Sequence, residues 1–419
     1  MIRKLIVFIF CIAFVQTIFA QSHVLYLGGI AHLGNGLKIE NSAISVEDGK
    51  FSLVADASII RINPTAYDTI IKLNGKHIYP AFIVPNTTLG ITEIGQVRAT
   101  HDYRETGALN PNVRSLIAYN TDSKIITTIR SNGVLIAQVT PRGGTISGQS
   151  SVIHLDGWNW EDAVLRADDG LHLNWPNSYH YSGGEDKKND KYDKYNKRTD
   201  EIKTFFTKAE AYAKSANIMD LRMESMKGLF NGSKTLYIHA DYAKDMRKAI
   251  EMASSLNIKK VVIVGAEDAL KIVDLLKEKN ISLILNRVHR LPDSQNSPID
   301  EPFTQAKKLK ETGILFCLSY EGDMEAMGAR NLPFSAGTAV AYGMDYEDAI
   351  AAITLNAAKI LGIDAEVGSI EHDKNATFFI SSGDALDMRT NNVEQAFISG
   401  KAIDLNNHQK ELFEKYKDR

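Results

Sequence analysis

Cysteine is almost absent from this 419-residue chain, which has only Cys11 and Cys317. Cys11 lies in an uncharged run from Leu5 to Ala20 that follows Met-Ile-Arg-Lys, the pattern of a secretory signal peptide over residues 1–20. The run is shorter than the roughly 20 apolar residues of a membrane-spanning helix. Cleavage after Ala20 is therefore favoured over a retained anchor, and the small residues that would precede a lipid-modified cysteine are missing. Cleavage would leave Cys317 alone, which excludes an intramolecular disulfide even in an oxidising, periplasmic setting. An excess of positive charge is lacking too: the formal charge is −3, and losing Arg3 and Lys4 would take it to about −5. With no basic stripe to offset that balance, a nucleic-acid surface is excluded. No Gly-x-Gly-x-x-Gly loop follows the first strand of the central region, which lowers a dinucleotide-binding reading, and no Gly-x-Ser-x-Gly elbow is present.

The residues that are present describe an ordinary globular chain, 44% hydrophobic and 24% charged. Such a length accommodates a barrel of roughly 250 residues plus a smaller domain. Residues 22–80 hold short alternating runs at His23–Leu27, Ala43–Val46, Phe51–Val54 and Ile70–Leu73, with turns at Gly34–Gly36 and Asp48–Lys50. Period two with such turns predicts a small antiparallel unit. Ala376–Ile380, Val393–Ile398 and Gly400–Asp404 repeat the pattern near the other end, so both termini are expected to share one β domain. Between them, strands alternate with helices: strands at Thr235–Ala240, Lys260–Val264, Ile281–Leu285 and Ile314–Ser319, helices at Ala243–Ser255, Ala266–Lys279, Pro302–Thr312 and one including Ala336–Tyr342. That alternation fits a (β/α)8 barrel or an open doubly wound sheet, and spacing alone does not choose.

Two further stretches stand out. Residues 178–201 form a polar, mixed-charge tract expected to be a solvated surface insertion, with Tyr192 and Tyr195 as its contact groups. Ala137–Val152 runs from a strand into a loop rich in glycine and hydroxyls, which is either a tight turn between two strands or a set of backbone amides for an anion.

The segment Ile78–Gly90, Ile-Tyr-Pro-Ala-Phe-Ile-Val-Pro-Asn-Thr-Thr-Leu-Gly, resembles the first barrel strand of the amidohydrolase superfamily, in which two histidines end the strand. Here Asn86 and Thr88 stand in those places. Asp345–Ile363 and Val367–Phe378 resemble the family's closing helices and its return to the β domain, of the imidazolonepropionase-like or dihydroorotase-like type. The resemblance implies a (β/α)8 barrel with a small composite β-sandwich domain: residues 21–77 and 366–419 form the β domain and tail, and 78–365 the barrel. It also implies one or two metal ions held by histidines on strands one, five and six, a lysine or glutamate on strand four, and an aspartate after strand eight.

Carried over position by position, strand five offers His239, strand six offers Val264–Glu267 where a histidine is expected, and strand eight offers Glu321 or Asp323. No strand-four ligand can be placed. A catalytic zinc keeps three protein ligands and an open position, so a metal would need recruits such as Asp241, Glu267, Asp268 or His289. The loop 137–152 resembles a stretch in a secreted bacterial subgroup, which implies that Arg142, Ser147 and Ser150 line the pocket mouth. The same subgroup likeness touches Arg98, His101, Asp102 and Arg114, which loop salt bridges explain equally well. The expected catalytic groups are His239, Glu321 and Asp323, with Asn86, Thr88, Arg142, Ser147 and Ser150 binding substrate and no metal ligand assigned.

Three functions follow from the resemblance. One is a non-catalytic barrel that binds a small molecule, or partners a second copy or an active paralogue. Another is a hydrolase of non-peptide carbon–nitrogen bonds, in cyclic amides or acylated amino acids, using zinc or another divalent metal at an atypical site. The third is metal-free acid–base hydrolysis by His239 with Glu321 or Asp323. No membrane contact is expected once the signal is removed.

Overall fold

The computed structural model describes residues 23–178, 188–215, 218–292, 296–322 and 324–419. The expected signal segment with Cys11, residues 179–187 of the polar tract 178–201, and Asp323 lie outside the described residues, as does the side chain of Tyr192. Among those described, no helix is long and apolar enough to cross a membrane.

The N-terminal alternating runs become β1 (Val24–His32), β2 (Lys38–Glu47), β3 (Lys50–Asp56), β4 (Thr69–Lys72) and β5 (His77–Pro80). The central strands are β6 (Phe82–Thr87), β7 (Val134–Val139), β8 (Ile146–His154), β9 (Val164–Asn174), β10 (Thr235–Ala240), β11 (Val261–Gly265), β12 (Ser282–Leu285) and β13 (Phe316–Leu318). The chain then returns through β14 (Phe378–Ser381), β15 (Val393–Ile398) and β16 (Lys401–Ala402).

Both termini do build one β domain, but as a single mixed sheet in the order β16-β15-β14-β5-β1-β2-β3, with β4 beside β1. The expected composite domain encloses its core with this one sheet, which curls onto itself as the two layers of a sandwich would. Phe51 on β3 lies 5.6 Å from Phe378 on β14, and Tyr26, Ile44, Phe378 and Phe397 fill the enclosed core. Strong right-handed twist makes such curling the natural way to bury one face of a long sheet.

The central strands run β6 to β13 in sequence order across a second eight-stranded sheet. Every residue of β6 and β7 is buried, as parallel strands covered on both faces require. The barrel nearly closes: the Ser319 hydroxyl after β13 donates to Pro85 O in β6 at 2.9 Å. It differs from eight βα units in one place, since β8 runs antiparallel to both β7 and β9. The link from β7 to β8 is too short for a crossover, which needs a dozen or more residues. The turn reading of the Ala137–Val152 stretch is therefore the observed one, and it lifts Thr140–Thr145 to the C-terminal mouth of the strands.

The helices Ala243–Ser255 and Glu301–Thr312 match their predicted spans, whereas the helix after β11 is confined to Val273–Glu278, behind a 3-10 turn at Ala269–Lys271. The polar tract departs further from expectation. From residue 188 it is the start of a 27-residue helix, Lys188–Lys214, and Tyr195 is buried rather than solvated. The Tyr195 hydroxyl donates to Asp245 at 2.7 Å and accepts from the Trp175 indole at 3.3 Å. Sequence composition reads this stretch as loop because its apolar anchors are single aromatics among charges.

That anchoring gives a first test. Tyr195→Phe strips a buried donor from Asp245 and an acceptor from Trp175, and is expected to cost about 1–3 kcal/mol of unfolding free energy. Urea denaturation would read this loss, and a solvated tyrosine would show none.

Candidate functional site

A parallel barrel presents functional groups at the C-terminal ends of its strands, and here those ends carry one continuous polar network. Asn86, at the end of β6, is fully buried with a left-handed φ of 52°, a conformation asparagine tolerates better than most residues. The Arg142 guanidinium, lifted into place by the β7–β8 hairpin, donates to Asn86 Oδ1 and to Asn86 O, both at 2.8 Å. It also grips both carboxylate oxygens of Glu325, at 3.1 and 3.0 Å. Asn86 Nδ2 in turn donates to Glu321 at 2.8 Å. Burial opposes the charge on Arg142, yet Glu325 and Glu321 hold its pKa above the ordinary value.

A second branch runs down the barrel axis. The Asn86 amide donates to Gln138 Oε1 at 3.1 Å, and Gln138 Nε2 donates to Asp169 at 2.8 Å. The Tyr237 and Ser150 hydroxyls each donate to Asp169 at 2.7 Å. Burial raises the Asp169 pKa, and these three donors offset part of the rise. With the Ser150 proton committed to Asp169, its oxygen accepts from His172 Nε2 at 2.9 Å. That leaves His172 Nδ1 as an acceptor, so His239 Nε2 is the donor across the 2.9 Å between the two rings. Burial, then the neighbouring His239, then Arg142 push the His172 pKa well down. Burial and then Arg142 bring that of His239 to about 3. Both imidazoles are neutral at physiological pH.

Above His239 opens a cavity of about 210 Å³ lined by Asn174, Trp175, Asn177, Asp241, Tyr242, Asp245, Val264, Gly265, Asn286 and Glu321. Gly265, at the end of β11, has a φ of +97°, and a Cβ there would lie 2.1 Å from Asp241 Oδ1. The Asp241 carboxylate thus takes the space that a strand-six side chain would fill. A wider groove of about 640 Å³ along the helix Lys188–Lys214 contains none of these strand-end groups.

The sequence candidates are distributed unevenly over this geometry. Asn86, Arg142 and Glu321 are bonded together, and Ser150 joins His239 through His172. Ser147 accepts from Asn174 Nδ2 at 2.9 Å behind the cavity wall, while Thr88 is buried outside the lining. Of the recruits considered for a metal, Glu267 pairs with Arg290 at 3.1 Å, and His289 bonds Thr338 at 2.7 Å. Arg114 is tied to Asp168 and His101 to the Ile94 carbonyl. Sequence reasoning missed His172, Asp169, Gln138 and Glu325. The strand-four signal was the pair His172 and Asn174, two residues apart on β9 and so on one face of the strand.

These residues do not fit the metal centre that the fold implies. His239 Nε2 is engaged by His172, and a permanently charged guanidinium sits at the end of strand one. Among the described residues, no three His, Cys, Asp or Glu side chains converge as a metal-holding group.

Comparison with known proteins places this arrangement in a family. The amidohydrolase family model matches residues 216–403. Over 161 residues the chain is 28% identical to the imidazolonepropionase of Symbiobacterium thermophilum, a distant homologue, with the match spanning 38% of this chain and 36% of that protein. The fold superposes on an amidohydrolase from Thermotoga maritima MSB8 with a TM-score of 0.77 at 24% identity, covering 91% of this chain and 99% of that one. An adenosine deaminase from Xanthomonas campestris with bound zinc gives 0.56 at 13% identity, covering 95% and 97% of the two chains. The two structural likenesses speak for the fold, and the sequence match adds the lineage: the chain is a member of the amidohydrolase superfamily.

Proposed function

We propose that this protein uses the amidohydrolase barrel as a metal-free binding pocket for a small polar ligand, as a non-catalytic exported protein or as the partner of a second barrel subunit. The observation that carries this reading is the imidazole pair. His239 is the strand-end histidine retained from the family pattern, and its Nε2 lies 2.9 Å from His172 Nδ1; with His172 Nε2 donating to Ser150, that contact needs the proton on His239 Nε2 and leaves it no lone pair to offer. Metal coordination by that nitrogen requires the opposite state, because a ligating imidazole nitrogen must be unprotonated. Arg142 adds fixed positive charge beside it, which disfavours a second cation at the same depth.

The reading makes elemental analysis decisive. Purified full-length protein is expected to carry far less than one equivalent of zinc or manganese, and to leave cyclic amides and acylated amino acids unhydrolysed. Near-stoichiometric metal, lost together with hydrolysis in His239→Ala, would instead establish the carbon–nitrogen hydrolase.

Arg142 is expected to be structural in this pocket. Arg142→Met leaves Glu325 and the Asn86 carbonyl buried without their partner, and should lower the unfolding free energy by about 3–5 kcal/mol. A guanidinium held for catalysis alone would change turnover and leave the denaturation midpoint in place.

The neutral imidazoles also set a pH dependence. A histidine whose folded pKa is depressed refuses the proton that the unfolded chain accepts near its ordinary value of about 6.5. Stability is then full above that pH and declines as the pH falls from about 6.5 toward the folded value, which for His239 is about 3. Urea midpoints should therefore drop between pH 7 and 5.5, and His239→Gln should flatten that slope.

A further inference from the structure

A second group of titratable side chains lies away from the strand ends, where the β domain meets the barrel. His32 closes β1, His77 opens β5, and Tyr79 stands two residues further along β5 on the same face. Against them pack Tyr346 and Glu347, at the start of the helix Tyr346–Ala352, and Asp384, between β14 and β15. The rings of the β domain are stacked: His32 lies 4.3 Å from Tyr79 and 5.3 Å from His77, with interplanar angles of 1° and 9°. His32, Tyr79 and Glu347 are buried, and His77 is partly so.

The bonds through this group limit how many protons it can hold. Glu347 Oε1 lies 2.8 Å from His32 Nδ1, and a carboxylate accepts, so His32 carries a proton there. His32 Nε2 lies 3.0 Å from His77 Nδ1, a contact that needs one proton between its two nitrogens. On His77 Nδ1 that proton is also 3.4 Å from the Tyr79 oxygen as an acceptor. The Tyr79 hydroxyl is left to donate to Tyr346 at 3.1 Å, since the Tyr346 hydroxyl donates to Asp384 at 2.6 Å. His77 Nε2 can then take a first added proton without breaking a bond. A second, on His32 Nε2, sets two N–H groups against each other across 3.0 Å.

The surrounding charges do not relieve that conflict. Glu347 offsets one positive charge, and its Oε2 is buried with no partner among the described residues, so within them His32 alone bonds this carboxylate. Glu40 on β2 is paired with Lys38 at 2.8 Å, Lys76 with Glu394 at 2.5 Å, and Asp348 with Lys310. Asp345 caps the helix by accepting from the Glu347 and Asp348 amides. Burial and then His32 lower the His77 pKa, against the upward pull of Asp384, Glu40 and Glu347.

We propose that this cluster is an acid-released latch between the β domain and the barrel, closed while one proton bridges His32 and His77 and opened when both rings become cationic. Proton uptake is the whole chemical step: His77 Nε2 and His32 Nε2 each bind one proton from solvent. Strand one is the element it bears on. β5 runs through Ala81 into β6, which leads to Asn86, and the Ile83 amide on β6 donates to Ile353 O, next to the latch helix, at 2.8 Å. A histidine with a depressed folded pKa refuses the proton that the unfolded chain accepts near about 6.5. The latch is therefore closed above that pH and opens as the pH falls through the folded value.

Hydrogen exchange of the full-length protein, read by mass spectrometry at about pH 7.5 and about pH 5 and corrected for intrinsic amide rates, reports the latch segment by segment. β10, which carries His239, is the internal reference, so protonation in the pocket registers there. Relative to β10, amides of β1, β5 and the helix Tyr346–Ala352 are expected to exchange about tenfold faster at the lower pH, the effect of one pKa unit. His77→Asn keeps an amide donor for His32 Nε2 and cannot titrate, so it should abolish this response, and its urea midpoint at the higher pH reports that it folds. Glu347→Gln keeps the acceptor for His32 but removes the countercharge, so one added proton suffices and opening should move to higher pH. Exchange that rises equally in β10, or a response that persists in folded His77→Asn, overturns the proposal. So does a Glu347→Gln opening that stays in place or moves to lower pH.

Discussion

A guanidinium cannot shed its charge, so burying one obliges its surroundings to supply acceptors. Arg142 makes that demand at the barrel mouth, and the strand ends are arranged to meet it. Glu325, beyond β13, supplies a two-point carboxylate, and Asn86 supplies both a side-chain and a main-chain oxygen. The left-handed turn at Asn86 is what swings the two oxygens to the same side. Its Nδ2 then reaches Glu321, so a single residue joins strand one, the β7–β8 hairpin and the end of strand eight. Near-closure of the barrel follows from this clasp as much as from Ser319 reaching Pro85.

The reversed strand β8 has its explanation here as well. A crossover helix after β7 would carry the chain to the outside of the barrel, whereas a hairpin keeps Arg142 over the mouth and brings Ser150 inside. Ser150 and Gln138 then satisfy Asp169, whose burial would otherwise be prohibitive. One arrangement of protons satisfies the chain from Tyr237 to His239: Tyr237, Ser150 and Gln138 donate to Asp169, His172 donates to Ser150, and His239 donates to His172. A connected network of this kind is rigid only when every member is satisfied, and His239 inherits its orientation from that rigidity.

How much of this was legible in the chain depends on the range of the interaction. The strands and helices between Thr235 and Ser319 could be read from period and length, and the β domain from alternation at both termini. The β8 reversal was written in the short Pro-Arg-Gly-Gly link, which reads as a turn between two strands, although the barrel expectation did not draw from it that the second strand runs backward. His172 was hidden because one histidine inside Leu171-His-Leu173 has the pattern of a core position. The partnership of Arg142 with Glu325 spans 183 residues, and no local pattern carries it. Tyr195 was misjudged because composition averages over its charged neighbours while burial is decided residue by residue.

The two departures from the family pattern are physically connected. Asn86 at the end of strand one matches an arginine that could not tolerate a metal beside it. Gly265 at the end of strand six opens the volume into which Asp241 leans. Each change alone would leave a defect: histidines crowded by a guanidinium, or a void beneath a carboxylate. Together they give a mouth in which the Arg142 guanidinium is bonded to Glu325 and has Glu321 close by. What remains exposed to the cavity is acceptor-rich and wider than a metal needs. A pocket altered by disuse would lose its polar partners piecemeal, and the continuous bonding from Glu325 through Asn86 and Gln138 to His239 is the opposite outcome.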